Sequence, residues 1–375
     1  MSLTINEQPS GLAFAKSPLL VKMTSTNASQ DDFVYKLEVY IYNGTTAPGT
    51  ASYTLSKLPN TAISNSAVFN IGKLVEAEIQ NRPPSSLTGD NNTLNKGVTW
   101  VKVVAKAEWT GGGSETTTGN TFTATLGYTF MEDETLNHDH GLGPTVVPMT
   151  RPDNTTAYSD YDFFIPLVRE YHTRLTLKYG SNTQAFTPTS NTSNSANRII
   201  LYNVTQILRE DYSHTGDFEF KLDDGTDDTG WVKVKAGAEN KHTIIPVIFL
   251  NRYGLWEVLY MSKKMVRSNN IESKQYNSPH FTTSNTLNMS RKGATTMNHS
   301  TSVSYSLNSD IVTEAENDMY LDLYRSSWIC LYVDGKYRQV TIEDKNFVEK
   351  TSLNDKIISH SITFKQGYAD ENIIF

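Results

Sequence analysis

Apolar and polar residues alternate over many short runs of this chain, which is the period of a strand with one buried face. Lys36-Leu37-Glu38-Val39-Tyr40-Ile41-Tyr42 alternates and ends on Asn43-Gly44, a turn signal. Further strands are expected near residues 99–103, 121–130, 174–180, 230–234 and 242–249. Phe249 to Met261 reads as strand, tight turn at Asn251-Arg252-Tyr253-Gly254, strand. Near the end, runs at 328–333 and 337–342 flank Asp334-Gly335, a strong hairpin dipeptide, and 357–364 alternates again. One segment, about 313–325, has helical spacing. Ala315, Met319, Tyr320, Leu323 and Tyr324 share a face, and Thr313 to Glu316 has the pattern of a capping box. Glu314, Asp318 and Asp322 are expected in water, and Arg325 suits the helix C-terminus.

The strand pattern contains a repeat. Val68-Phe69-Asn70-Ile71-Gly72-Lys73-Leu74-Val75 is matched by Leu201-Tyr202-Asn203-Val204-Thr205-Gln206-Ile207-Leu208. Downstream, Thr99-Trp100-Val101-Lys102-Val103 is echoed by Gly230-Trp231-Val232-Lys233-Val234, at Asn-to-Trp separations of 30 and 28 residues. Two motifs in the same order at matched spacing predict a duplicated unit. The expectation is a pair of tandem immunoglobulin- or fibronectin-like β-sandwiches, followed by a β-rich C-terminal domain carrying one packed helix. Phe69, Trp100, Tyr202 and Trp231 would anchor the cores, while Asn70 and Asn203 would cap short turns through local backbone bonds.

The implied organisation is a first sandwich over 1–136, a proline-bearing linker over 137–160, a second sandwich over 161–249, and a final domain over 250–375. Within the last, 262–300 is long, polar and without an apolar period. It carries Lys263, Lys264, Arg267, Lys274, Arg291 and Lys292, a basic balance in an acidic chain. It reads either as a polar hairpin on its own domain or as an arm reaching a neighbouring subunit.

Composition narrows the function classes. With 375 residues and 38% hydrophobic content, there is chain enough for two or three real cores. A net charge of −7 argues against general nucleic-acid binding and against anionic membranes. No run approaches the ~18 apolar residues of a membrane span, and the polar N-terminus does not resemble a signal peptide. The simplest expectation is synthesis in a cytoplasm, with the Asn-x-Ser/Thr sequons as chance products of an Asn-, Ser- and Thr-rich chain. The single cysteine, Cys330, lies in an apolar strand and reads as a small buried hydrophobe.

Candidate chemistry is sparse. His138-Asp139-His140 could place two imidazoles on one strand face toward a metal, although no third ligand is apparent and an incidental surface reading is preferred. Asp223 to Asp228 lacks the alternating ligands and terminal Glu of a calcium loop, and reads as a solvated hairpin turn. Nucleophile-elbow, phosphate-loop and dinucleotide fingerprints are missing, so no cofactor and no catalytic residue is assigned. Paired acids of a glycan-degrading enzyme leave no local spacing and stay open.

Phe249-Leu250-Asn251-Arg252-Tyr253-Gly254, taken with Ser309-Asp310, Glu316, Leu321, Leu323 and Ser326 around the helix and the strand–Gly–strand ending, resembles virion structural proteins of tailed bacteriophages. The similarity is greatest to those of phages of Bacteroidota-like hosts, covers about 245–368, and extends more weakly to the paired sandwiches. It implies a non-enzymatic tail, neck or baseplate subunit. Such a subunit is made in the host cytoplasm, placed in the virion, and partnered by other virion proteins and by its own copies in a ring. The alternative reading is a receptor- or carbohydrate-binding adhesin, which exposed aromatics at loop tips would favour.

Overall fold

The structure, a computed structural model, describes residues 3–43, 46–79, 97–129, 142–169, 171–187, 199–238, 241–277, 294–344, 346–351, 357–367 and 370–373. The protein is mainly β, and its described residues divide into two compact units. Unit 1 comprises Met1–Ala238 with Leu250–Val258; unit 2 comprises Glu239–Phe249 with Leu259–Phe375.

Unit 1 holds the repeat. Its first half runs β1 (Thr4–Glu7), β2 (Leu12–Phe14), β3 (Leu20–Thr24), β4 (Val34–Tyr42), β5 (Tyr53–Lys57), β6 (Ala67–Asn70), α1 (Gly72–Glu78), β7 (Val98–Trp109) and β8 (Gly113–Thr125). Two sheets form, β1-β3-β6 and β2-β8-β7-β4-β5, antiparallel except where β2 lies parallel to β8. Alternation then decides the core. Val21, Met23 and Phe69 of the small sheet bury against Tyr35, Leu37, Val39, Val101, Val103 and Phe122 of the large one. This is sandwich-like packing of two inner faces.

The second half runs β9 (Thr155–Ala157), β10 (Phe164–Val168), β11 (Arg174–Tyr179), β12 (Asn182–Phe186), β13 (Ile199–Asn203), α2 (Val204–Glu210), β14 (Phe218–Asp223) and β15 (Val232–Ala236). Its sheets are β10-β13 and β9-β15-β14-β11-β12, with β9 parallel to β15. From β2 onward, each strand of the first half has a counterpart in the same sheet position, including the parallel edge strand. The segment expected as a linker therefore supplies a strand, β9, to the second repeat.

The strand equivalence corrects one half of the repeat as read from sequence. Phe69 and Tyr202 do occupy matching buried places on β6 and β13. Trp100 and Trp231 do not match. Trp100 lies in β7, whose counterpart is β14, whereas Trp231 precedes β15, the counterpart of β8. The near-equal spacing arose because β7 begins 28 residues after Asn70, whereas β14 begins 15 and β15 begins 29 residues after Asn203.

Unit 2 is built on β16 (Ile245–Leu250), β17 (Trp256–Met261), β18 (Val266–Asn277), β19 (Ala294–Asn308), α3 (Asn317–Arg325), β20 (Ile329–Val333), β21 (Lys336–Ile342), β22 (Ser361–Gln366) and β23 (Asp370–Ile373). The strands form one sheet ordered β17-β16-β20-β21-β22-β19-β18, with β23 also on β19. Residues 242–249, expected in the second sandwich, thus supply β16 to this sheet, paired with β20. Helix α3 lays Met319, Tyr320 and Leu323 on a core of Val247, Phe249, Tyr305, Leu307, Leu331, Ile362 and Phe364. The expected helix is split. Glu314–Glu316 forms a 3₁₀ turn, and the Glu316 carboxylate reaches back to accept the Thr313 amide at 2.7 Å, the return half of a capping box. Ala315 is exposed and Asp322 is buried, the reverse of expectation. The change from 3₁₀ to α winding rotates the register, so that the stripe begins at Met319. The Asp334-Gly335 hairpin forms with both residues at positive φ, as a tight two-residue turn demands.

Candidate interaction surfaces

Three places stand out, and each grows from local sequence. The first is the turn between β16 and β17, which clusters with unit 1. Asn251 nucleates it: its Oδ1 accepts from the amides of Tyr253 and Leu255, both at 3.1 Å. Gly254 adopts φ +74, and a Cβ there would meet the Gly127 amide nitrogen at 2.5 Å and Leu126 at 2.7 Å. The turn is therefore pressed against the chain following β8. Thr125 Oγ1 donates to the Tyr253 carbonyl, and the Tyr128 amide to that of Arg252, both at 2.8 Å. Beneath it the Glu257 carboxylate is fully buried. One oxygen accepts from Thr150 N, Thr150 Oγ1 and Asn251 Nδ2, and the other lies 4.0 Å from Arg151 Nε. Burial pushes the Glu257 carboxyl up, opposed by the Arg151 charge and these donors. The Arg151 guanidinium also sits 4.7 Å over the Phe163 ring. From Leu250 to Gly254, the motif that carried the family resemblance is thus a tightly bonded structural turn of unit 1.

The second place is Trp231. It is 39% exposed, on the turn between β14 and β15, with the ammonium groups of Lys221 and Lys178 at 5.4 and 5.7 Å from its ring. It is not a core anchor. Val234 points inward while Lys233 and Lys235 point out, and the chain enters β15 from a solvated turn. In that turn Asp224 Oδ1 accepts the amides of Thr226 and Asp227, holding its carboxyl below the usual range, and Asp228 binds Lys221 at 2.6 Å. The acidic run is the hairpin turn expected. Trp100 is likewise turned away from the core: Val101, Val103, Ala105 and Ala107 take the inner face of β7. Trp100 stacks on Tyr42 instead, with the rings 10° from parallel. That inner-face run of small and branched residues was the sequence signal that would have placed it.

The third place is the ribbon β18–β19. The polar segment is neither loop nor coil where it is described: β18 pairs with β19 antiparallel from Val266↔Ser306 to Asn277↔Ala294. All twelve residues of β18 are exposed. Of the six basic residues assigned to an arm, Lys263 pairs with Asp310 at 3.0 Å, Lys264 precedes β18, and Arg267 and Lys274 lie on it. Arg267 stacks over the buried Tyr305 ring at 5.8 Å. Arg291 and Lys292 lie outside the described residues, as do His138 and His140.

Two clefts lie among the described residues. One, of about 420 Å³, is lined by Lys178, His214, Asp217, Glu219 and Lys233. Its acids are committed: Asp217 Oδ1 accepts the Ala236 amide at 2.8 Å, and Glu219 pairs with Lys178 at 3.0 Å. The other, of about 500 Å³ in unit 2, is lined by Tyr324, Arg325, Ile342 and Phe347, with Asp344 its one carboxylate. Among the described residues, no group of three or more His, Cys, Asp or Glu could hold a metal. Cys330 is buried, and burial pushes its thiol up to about 11, in keeping with a packing role. No helix among the described residues is long and apolar enough to cross a membrane.

No protein-family model matches the chain, and no curated protein matches it.

Proposed function

We propose that this protein is a structural subunit of a tailed-phage virion, of the tail, neck or baseplate, which acts by assembling with copies of itself and with other virion proteins in a ring. The observation that carries the reading is the β18–β19 ribbon: a strand of 12 residues with every side chain exposed and, among the described residues, no strand on its outer edge. A single soluble domain gains little from such an element, because an open edge invites pairing and adds no core. In a particle the same element is a ready contact. The acidic charge, the resemblance around Phe249 to Gly254, and the two repeated β modules support it. The test is mass measurement of the purified protein in solution, together with detection of the chain in purified particles from the source culture. A chain that stays at 42.0 kDa at every concentration and is missing from particles would overturn the proposal.

Trp231 favours the second reading, a glycan-binding adhesin, because an exposed indole at a turn flanked by cations is a stacking platform. Glycan-array binding lost on Trp231→Ala would favour it over the first.

A further inference from the structure

The open edge of β18 carries a pattern that fits one partner. Three large apolar side chains on this strand are exposed: Val266 (44%), Ile271 (63%) and Tyr276 (50%). They are spaced five residues apart, so they are symmetric about Ile271. We infer that β18 is a self-complementary docking edge, and that two copies of the chain join by antiparallel pairing of β18 with β18 about a two-fold axis at Ile271. The inference rests on the assembly reading above and specifies its contact.

The register follows from side-chain pairing. With Ile271 opposite Ile271 of the partner subunit, Val266 faces Tyr276 of the partner subunit, and the reciprocal pair forms on the other side. Each exposed apolar group of the strand then meets another, the cross-strand contact that stabilises sheets. Arg267 faces Gln275, Glu272 faces Asn270 and Lys274 faces Ser268, so no like charges stand directly opposite. Opposed residues of an antiparallel pair share a face, so the axis moves only by whole residues; an axis at Ser273, which pairs Lys274 with Glu272, shortens the overlap and leaves Ile271 facing Gln275.

The backbone is prepared for it. Among the described residues β18 pairs with β19 alone, leaving its other edge open. The ribbon's one irregularity, between Lys274 and Gln275, is an extra residue on β19, Met297, so β18 itself runs without a bulge. Val266–Asn277 carries three charged side chains, Arg267, Glu272 and Lys274, but neither of the backbone devices that blunt an edge, a proline or a bulge on the edge strand. A two-fold contact of this kind joins copies head to head, and in a ring-forming subunit it would tie two rings together.

The test uses the full chain. Directly opposed residues of an antiparallel pair have Cα atoms about 4.5–5.5 Å apart, within disulfide range. Under mild oxidation, Ile271→Cys should give a cross-linked dimer in more than half the chains. Ser273→Cys, which lies about 13 Å along the strand from its own copy, should give less than a tenth of that. Cys330 is buried and adds little background. In parallel, Ile271→Lys sets like charges on the axis and should raise the dimer dissociation constant by at least 30-fold in sedimentation, with an unchanged melting temperature. A wild-type chain that is monomeric throughout overturns both the contact and the assembly reading. An oligomer that survives Ile271→Lys, or that cross-links equally at 271 and 273, overturns the β18 contact alone and leaves assembly standing.

Discussion

Asn70 and Asn203 hold the same post in the two halves of unit 1: each ends the small-sheet strand, and each turns its side-chain oxygen back onto the helix that follows. Asn70 Oδ1 accepts the Gly72 amide at 3.1 Å and also the Leu19 amide at 3.2 Å. Asn203 Oδ1 accepts the Gln206 amide at 3.4 Å and the Thr205 hydroxyl at 3.2 Å. In both, the aromatic residue just before is buried. The motif is a strand-to-helix corner: the buried ring locks the strand, and the Asn oxygen accepts from the start of the helix, from the N-cap itself at Asn203 and from one residue before the N-cap at Asn70.

It follows that the aromatics of the corner and the two tryptophans differ in energetic weight. Phe69→Ala and Tyr202→Ala should each cost about 3–5 kcal/mol, as truncation of a buried ring does. Trp231→Ala should cost less than about 1 kcal/mol, because the ring is already partly in water. Urea unfolding of the three variants checks this, and a Trp231→Ala loss as large as that of Tyr202→Ala would contradict the exposed placement.

These residues also show what the sequence could disclose. The corner was legible because local chemistry makes it: an amide side chain at a strand end has few partners other than the next backbone groups. The Asp334-Gly335 hairpin and the Met319, Tyr320, Leu323 stripe were legible for the same reason. The tryptophans were misplaced because Trp burial depends on strand phase, which the flanking Val101-x-Val103 alternation sets, and because a repeat with loops of unequal length can align adjacent strands. The parallel edge strands β2 and β9 were not legible at all, since three-residue strands gain their identity only from the partner they meet. The enclosed Glu257 was missed because its donors, Thr150 and Asn251, come from separate segments.

That carboxylate yields a second prediction. Glu257→Ala removes the buried carboxylate that Thr150 and Asn251 bond and that lies 4.0 Å from Arg151, and should cost about 3–5 kcal/mol. Replacing both together, Arg151→Met with Glu257→Leu, should cost less than the single change, since the buried Arg151 charge goes with its neighbour and apolar side chains fill the space. Equilibrium unfolding decides it. A double variant weaker than Glu257→Ala would show that the donors from Thr150 and Asn251, rather than the ion pair, hold the joint.

His360 makes stability depend on acid. Its ring lies 4.2 Å from Tyr320 and 5.5 Å from Phe347, and burial lowers its pKa to about 4, with Lys350 adding to the effect. The folded state thus holds the neutral ring, while the unfolded chain takes up a proton near pH 6.5. The contribution is fully present above about pH 6.5 and is lost as pH falls toward 4. Its size is about 2 kcal/mol once residual solvent screening is allowed for. Melting temperature against pH for wild type and His360→Gln tests it: the wild-type curve should fall more steeply between pH 6.5 and 4. Parallel curves would mean that other groups carry the acid sensitivity.

The last prediction concerns the backbone of β18. In an antiparallel strand successive residues turn their N–H groups to opposite edges, so about half of the amides from Val266 to Asn277 bind β19 and the other half point to the open side. In an isolated subunit the outward set has no partner among the described residues, while the inward set is held at the edge of the sheet by β19, in a strand whose own side chains are wholly exposed. An edge strand of that kind opens at low free energy, because its own side chains bury little that opening would expose. Both sets should therefore exchange quickly in the free protein, the outward set fastest. Assembly through this edge would give the outward amides partners and turn the edge strand into an inner one, slowing exchange across 266–276 by at least tenfold, with Ile271 near the centre of the protected stretch. Residue-resolved hydrogen exchange on the dilute and assembled protein measures this directly. Equal, strong protection of the outward amides in both states would mean that the edge is closed within the chain itself, and that β18 is not a contact arm.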